Sequence, residues 1–133
     1  MKGEQQTLSY GSGARRVLLE ACYLGEQVLV VITNENGHIG AVALAEYDVE
    51  TQRVSTSVLT RISHKDDVVA VGAAYRLAKA GKCAVCVIAG IHIDHATLDD
   101  IEVTQQNAAL VVDMLVERGF LGGPREAGGQ QLR

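Results

Sequence analysis

The sequence predicts an α/β (α+β) fold, a single domain in the order ββββαβα with a mixed central sheet of about five strands and two packed helices. Three observations predict it. Four strand-like runs fill the first half, the apolar period changes from two to about 3.6 after Ser63, and one almost wholly apolar run lies between two helical segments. A length of 133 residues fits one domain that buries its own core.

The first half of the chain is predicted to form two hairpins. The connection inside the first hairpin contains Gly25, and the second hairpin turns over residues 48–52. In this order the strands predict a four-stranded antiparallel meander. The four runs are 16–23, 27–33, 41–47 and 53–60.

The first helix is predicted over about 64–80. Ser63 is its candidate N-cap with Asp66 three residues later, and Gly81 is a suitable C-terminal stop. The helical period places one stripe of side chains toward the core. These are Val68, Val69, Val71, Ala74, Leu77 and Ala78.

The last strand and the last helix follow. The run 83–89 is almost wholly apolar, which is typical of a strand at the middle of a sheet. The helix begins near Thr97, which forms a capping box with Asp100, and it ends near Arg118. Its predicted inward residues are Ile101, Ala108, Val111, Val112 and Leu115.

The two ends of the chain are polar and rich in glycine. Residues 1–13 and 122–133 are therefore expected to be flexible, which leaves an ordered core of about 14–120 within a single domain 1–133. Cys83 and Cys86 form a CxxC motif inside a strand-like run instead of at an exposed helix start. They are expected to be buried core thiols and not a redox pair.

Charge and hydropathy exclude several classes of protein. A net charge of −4 and a pI near 5.5, with no Trp, argue against nucleic acid as a partner. No uninterrupted run of roughly 18 apolar residues exists, which argues against a signal peptide, a membrane helix and a membrane partner. We therefore expect a cytoplasmic protein.

Three histidines lie in polar breaks between apolar runs, where α/β proteins usually build binding sites. His38 is bracketed by Gly37 and Gly40, and such glycines let the backbone turn sharply or approach a ligand closely. The alternative for this segment is an ordinary hairpin loop, since Asn36-Gly37 is itself a strong hairpin signal.

The start of the first helix is a candidate anion site. Free backbone N–H groups and the helix dipole favour a phosphate there, and His64 and Lys65 would strengthen that preference. The alternative is a simple helix cap, in which Asp66 and Asp67 satisfy the dipole themselves.

The third histidine segment follows the presumed central strand. His92 and Asp94 lie where open α/β sheets place ligands. The His-x-Asp-His pattern is similar to part of the metallo-β-lactamase motif, but Gly90 occupies the position of a required histidine, which excludes that family. A zinc site drawn from His38, His64, His92 and Asp94 is chemically acceptable, although the spacing does not require it and no metal is expected.

No nucleophile motif, P-loop or dinucleotide fingerprint is present in the sequence, so no catalytic residue is assigned. Three classes of function remain open. The first is a binding or carrier module, and the second is a small metal-assisted or His/Asp-based hydrolytic enzyme using His38, His64, His92 and Asp94. The third is a non-catalytic structural subunit.

The motifs taken together resemble a known family. His38-Ile39-Gly40 after Thr33, then the segments 64–67 and 89–94, and a long C-terminal helix, are similar to the small D subunit associated with UbiD-type phenolic-acid (gallate) decarboxylases. That group is described as prenylated-flavin chaperone-like. The similarity covers roughly residues 14–118, and it departs from the family pattern in a shorter tail and in Asp94-His95-Ala96.

The resemblance implies an accessory protein without turnover of its own. It would bind or deliver prenylated FMN, or FMN, to a UbiD-type decarboxylase subunit, with the flavin phosphate at the start of the helix near residue 64. A homo-oligomer is expected because two helices leave one apolar sheet face in need of a partner. The expected cofactor-binding residues are Thr33, His38, Gly40, Ser63, His64, Lys65, Asp66, His92 and Asp94.

Overall fold

The computed structural model describes residues 5–62 and 66–122. It contains one mixed sheet and two α-helices, which confirms the predicted fold class with six strands in place of about five. The helices are α1 (Asp67–Gly81) and α2 (Leu98–Glu117). The strands are β1 (Gln5–Tyr10), β2 (Val17–Leu24), β3 (Gln27–Thr33), β4 (Ala41–Asp48), β5 (Arg53–Thr60) and β6 (Val85–Gly90).

The strand order in the sheet is β1-β2-β3-β6-β4-β5. Both predicted hairpins are confirmed, β2 with β3 and β4 with β5. The predicted meander is wrong, because β6 separates the two hairpins, parallel to β3 and antiparallel to β4. A strand that is apolar on both faces gains most from neighbours on both sides, so the central place predicted for the run 83–89 is confirmed.

Strand β1 was not predicted, and it lies within the segment 1–13 that was expected to be flexible. It pairs antiparallel with β2 at the edge of the sheet. Of its six residues only Leu8 is buried, so its sequence has little of the apolar character by which strands are recognised. The sequence of an edge strand with one buried side chain cannot be distinguished from that of a polar terminal segment.

Both helices pack on one face of the sheet, α1 against β4, β5 and β6 and α2 against β1 and β2. The buried residues of α1 are Ala70, Ala73, Ala74, Leu77 and Ala78. The predicted stripe was therefore partly wrong. Val68 is 57% exposed and Val69 and Val71 are half-buried, because small alanines, instead of valines, give the close contact with the sheet. Neither described helix has the long apolar stretch that a membrane span needs.

The ends of the helices show which local signals were reliable. The Thr97–Asp100 capping box at the start of α2 is confirmed. The predicted start of α1 near residue 64 with Ser63 as N-cap is wrong, because the helix begins at Asp67 and Asp66 is its N-cap. Gly81 does not follow α1 as a stop but is its last residue, and Lys82 takes the left-handed conformation with φ of 53°. Four of the inward residues predicted for α2 are buried, whereas Ile101 is 42% exposed.

The cysteines differ in burial. Cys22 is buried, but Cys83 and Cys86 are only half-buried, so the expectation of two fully buried thiols was wrong. Cys83 precedes β6, and Cys86 lies on the face of the sheet that carries no described helix. Burial raises the pKa of both thiols, which disfavours the reactive thiolate.

Candidate functional site

The candidate site lies at the carboxyl ends of the parallel strands β3 and β6. Chain segments that follow these two strands, residues 34–40 and 91–96, meet there beside the opening of α1. Ligands of open sheets bind at such an edge because the connections leave a crevice between them. The two histidine-containing breaks that the structure describes therefore belong to one place.

Asn34 holds these two segments together. Its side-chain N–H₂ donates to the carbonyl oxygens of Ala14 and His92, at 3.0 and 2.9 Å. Its side-chain oxygen accepts from the backbone N–H groups of Asn36 and His92, both at 3.2 Å. The residue is only 4% exposed, so these bonds replace water almost completely. Asn34 thus fixes the backbone of the β6–α2 connection from behind.

Asp66 is a second buried polar anchor, with 7% exposure. One carboxylate oxygen accepts from the backbone N–H of Ile91 at 3.0 Å, and the other lies 3.3 Å from Nε2 of His38. The carboxylate makes no capping bond to its own helix, although Asp66 is the N-cap residue of α1. The Asp66 side chain therefore does not cap the N–H groups of the first turn, although its backbone carbonyl accepts from the N–H of Ala70 at 3.0 Å.

Two glycines are required by close approach. A Cβ on Gly40 would overlap the carboxylate of Asp66, and a Cβ on Gly90 would overlap the carbonyl oxygen of His38. Gly40 also donates its N–H to the carbonyl of Ala89 at 2.9 Å. A side chain at Gly90 would push the two segments apart, and one at Gly40 would displace the side chain of Asp66.

The histidines lie close together but in different surroundings. The rings of His38 and His92 meet edge to face with centroids 6.3 Å apart. His92 Nε2 lies 2.8 Å from a carboxylate oxygen of Asp94. These two side chains are 54% and 81% exposed, so the contact between them adds little to stability, whereas the His38–Asp66 contact is largely buried.

A cleft of about 400 Å³ opens beside this framework. It lies between the first turn of α1, the β6–α2 connection and the first half of α2. Its size is within the range of small-molecule sites, and its walls are mostly apolar with a few polar groups. The described residues that line it are Asp66, Asp67, Val68, Val69, Ile91, His92, Ile93, Ala96, Ile101, Thr104 and Gln105.

The cleft contains one unsatisfied polar group. Thr104 is 5% exposed and lines the cleft, yet its hydroxyl has no hydrogen-bond partner in the described part of the chain. Buried hydroxyl groups are normally paired, and this oxygen is covered from solvent, so a polar partner can reach it only if the wall of the cleft shifts. An apolar wall with such a group suits a flat heteroaromatic ring that carries polar edges.

The predicted binding residues fall into four groups. Asp66 and His92 line the cleft, while His38 and Gly40 contact Asp66 from behind. Thr33 pairs with Gly90 at the end of the parallel strands, and Asp94 pairs with His92, but neither lines the cleft. The remaining predicted residues, Ser63, His64 and Lys65, lie outside the described residues.

Sequence reasoning missed Asn34 and most of the apolar wall. Asn34 directly follows a buried strand, which is a usable signal, but its partners Ala14 and His92 are distant in sequence. The helical period predicts Ile101 and Val69 as core residues, but both line the cleft. Helical periodicity does not separate a core stripe from the edge of a cleft.

The zinc alternative gains no support from the described residues. Within 5–62 and 66–122, no group of three or more His, Cys, Asp or Glu side chains is arranged to hold a metal ion. His64, one of the four proposed ligands, lies outside these ranges. His38 and His92 each face a different carboxylate instead of sharing one centre.

The fold is that of a small α+β domain with a cleft of ligand size beside the start of α1. A family model described as a prenylated flavin chaperone LpdD-like domain matches residues 11–119. The chain therefore belongs to the prenylated flavin chaperone LpdD-like family, which confirms the resemblance seen in its motifs. No curated protein matches the chain.

Eight chains of solved structures are similar in fold. One belongs to the crystal structure of a novel chaperone complex for yeast 20S proteasome assembly. It is 9% identical, with a TM-score of 0.57 over 88% of this chain and 97% of the other. At that identity the similarity concerns the fold alone.

Proposed function

We propose that this chain is an accessory protein that binds prenylated FMN, or FMN, and delivers it to a UbiD-type decarboxylase, with no turnover of its own. The cleft beside the start of α1 is the observation that carries the proposal. It combines an apolar wall, a buried unpaired hydroxyl and a helix N-terminus within one ligand-sized space.

The flavin phosphate is assigned to the start of α1. Asp66 directs its carboxylate at Ile91 N–H and His38, so it does not occupy the first-turn N–H groups. Ser63, His64 and Lys65 immediately precede this turn in sequence and supply a hydroxyl and two cationic or protonatable groups. A helix dipole and a cation together favour a phosphate.

The isoalloxazine ring is assigned to the cleft wall. Val69, Ile93 and Ile101 supply apolar contact, and the Thr104 hydroxyl supplies a polar contact for the edge of the ring. His38 lies behind this wall against Asp66, and His92 lies within it, paired with Asp94. The bound group supplies the redox and addition chemistry, and the protein supplies binding and orientation.

Delivery requires a surface that a client enzyme can reach. Val68 and Ile101 at the cleft are 57% and 42% exposed, and Leu98 at the first turn of α2 is 86% exposed. Exposed apolar groups beside a ligand site are typical of interaction surfaces. This supports docking of the decarboxylase subunit at the mouth of the cleft.

Native mass spectrometry tests the proposal on protein purified from a host that makes prenylated FMN, with metal analysis of the same sample. We expect the mass of a flavin mononucleotide on the folded chain and no stoichiometric zinc. Mixing with an apo UbiD-type decarboxylase should then transfer the flavin mass to the enzyme. The proposal would be contradicted if the purified chain carried no flavin and also failed to bind flavin on titration.

One observation favours the hydrolytic alternative. The buried carboxylate of Asp66 faces Nε2 of His38, and a carboxylate that orients an imidazole is a common part of general-base sites. The hydrolytic hypothesis predicts that the protein turns over activated ester or phosphoester substrates and that His38→Gln abolishes this turnover. Absence of turnover together with flavin binding separates the two functions.

A further inference from the structure

A second apolar space lies next to the cleft, between the two helices. It is a groove of about 420 Å³ whose walls come from α1 and α2 alone. Val68 and Val69 on α1 and Gln105 on α2 line both the groove and the cleft. Because the shared residues come from both helices, the two spaces lie end to end, and the groove continues the cleft along the helices.

Small residues keep this groove open. Gly72 and Ala73 line it from α1, and Ala108 and Ala109 line it from α2. A Cβ on Gly72 would meet no described atom within 4 Å, so close packing does not require a glycine there. Glycine inside a helix is destabilising relative to alanine. Gly72 therefore weakens α1 without relieving a contact in the described part of the chain, and its effect is to widen the groove.

The chemistry of the groove suits hydrocarbon. Its two charged side chains, Arg76 and Asp113, lie at the end away from the cleft and pair with each other, with Nε and a carboxylate oxygen 3.4 Å apart. No unpaired buried polar atom of the described residues lines the groove. A polar ligand group would find few partners between the two ends, whereas hydrocarbon would gain by leaving water.

The sizes of the two spaces indicate how they divide a ligand. The cleft, at about 400 Å³, is near the lower end of the range for small-molecule sites. The family is described as a chaperone of prenylated flavin, which is a flavin with added isoprenoid-derived hydrocarbon. That hydrocarbon needs space beyond the space that plain FMN fills, and the groove supplies apolar space at one end of the cleft.

We propose that the groove between α1 and α2 binds the isoprenoid-derived hydrocarbon of prenylated FMN, so that the chain selects prenylated FMN over FMN. This inference rests on the proposed function, flavin binding in the cleft, and adds which of the two flavins is preferred. Gly72 and Ala109 are the positions that determine this specificity, because a larger side chain at either one would fill the groove.

Anaerobic calorimetric titration tests the preference. Prenylated FMN and FMN are both kept reduced, so that the two ligands differ only in the added hydrocarbon. We expect the wild type to bind prenylated FMN at least tenfold more tightly than FMN, because removing roughly 60 Å² of hydrocarbon from water corresponds to about a tenfold change in affinity.

Two variants fill the groove from opposite sides. Gly72→Leu fills it from α1, where leucine also favours the helix, and Ala109→Leu fills it from α2. Each variant should bind the two flavins with equal affinity. The matched control is Ala80→Leu, at an exposed position of α1 that lines neither the groove nor the cleft, and it should keep the wild-type preference.

Hydrogen exchange provides a second measurement that needs no variant. Residues 72–76 and 108–113 contain the parts of the helices that border the groove but not the cleft. Prenylated FMN should slow amide exchange in these two stretches more than FMN does. The β6–α2 connection borders only the cleft, so both flavins should protect it to the same extent.

The outcomes separate this inference from the proposed function. A wild type that binds both flavins with equal affinity would overturn the inference and leave flavin binding in the cleft intact. A chain that binds neither flavin would contradict both. If Gly72→Leu and Ala109→Leu kept the preference but slowed transfer of the flavin to the decarboxylase, the groove would be a contact for that enzyme, and the inference would be wrong.

Discussion

The cleft has two walls that are held in different ways. The wall formed by the β6–α2 connection and Asp66 is fixed by buried hydrogen bonds and by two glycine contacts. The opposite wall, the first half of α2, is fixed by the Thr97 capping box, by the buried residues Thr104 and Asn107, and by ion pairs from Arg15, of which the one to Asp99 is exposed and the one to Asp100 partly buried. Exposed pairs contribute little each, so the α2 wall is the one that can shift to admit a ligand.

Substitution of Gly90 should break the buried wall most strongly. In Gly90→Ala the new Cβ overlaps the carbonyl oxygen of His38, which is backbone and cannot turn aside. We expect the free energy of unfolding to fall by about 3 kcal/mol, seen as a decrease in melting temperature of about 10 °C.

The matched control for that variant is Gly72→Ala. Gly72 lies inside α1 with open space around its Cβ position, so alanine should raise stability by up to about 1 kcal/mol. Equal melting temperatures for the two variants would contradict the close approach at Gly90.

Asn34→Ala should be the next largest effect. It removes the bonds to Ala14 and His92 and leaves buried backbone groups unpaired, at a cost of about 2 kcal/mol in the free energy of unfolding. Thermal denaturation measures this, and flavin titration should show weaker binding because His92 loses its anchor. Asn36→Ala, at an exposed position, should stay within about 0.5 kcal/mol of the wild type.

The same contrast explains what the sequence could predict. The start of the α2 wall depends on a local motif, the capping box of Thr97 and Asp100, which the sequence predicts because the two residues are three positions apart. The buried wall depends on contacts such as Asn34 with His92, which are 58 residues apart, and on β6 entering between β3 and β4. Hydrophobic periodicity predicts a helix or strand and its buried face, but it does not predict which strands become neighbours. The long-range contacts of the buried wall could therefore be seen only in the structure.

Lys65→Ala tests the end of the cleft where the phosphate is proposed. We expect FMN binding to weaken by about 1–3 kcal/mol, because the variant loses a charge-assisted hydrogen bond to the phosphate. The melting temperature should change little. Riboflavin, which lacks the phosphate, should bind variant and wild type alike. Protonation of His64 should add a pH dependence, with FMN affinity falling as its imidazole loses the proton.

A variant in the wall provides the opposite pattern. Ala96 is exposed and lines the cleft, so Ala96→Phe should fold normally but obstruct the ring, weakening FMN and riboflavin equally. Isothermal titration with both ligands distinguishes the two ends. Equal losses for FMN and riboflavin in Lys65→Ala would place the phosphate elsewhere, and a lower melting temperature with unchanged binding would make Lys65 part of a helix cap only.

The smallest expected effect belongs to the exposed wall and depends on pH. The backbone N–H of Thr97 and the guanidinium of Arg15 lower the pKa of Asp100 below its ordinary value of 3.8. A carboxyl group whose pKa is lower in the folded state adds stability at pH values above its unfolded-state pKa, and this stability is lost as the pH falls through its folded-state pKa.

The free energy of unfolding should therefore decrease less steeply below about pH 4 in Asp100→Asn than in the wild type. Urea titrations across this pH range measure the difference, and parallel curves for wild type and Asp100→Asn would show that the capping carboxylate does not hold the α2 wall.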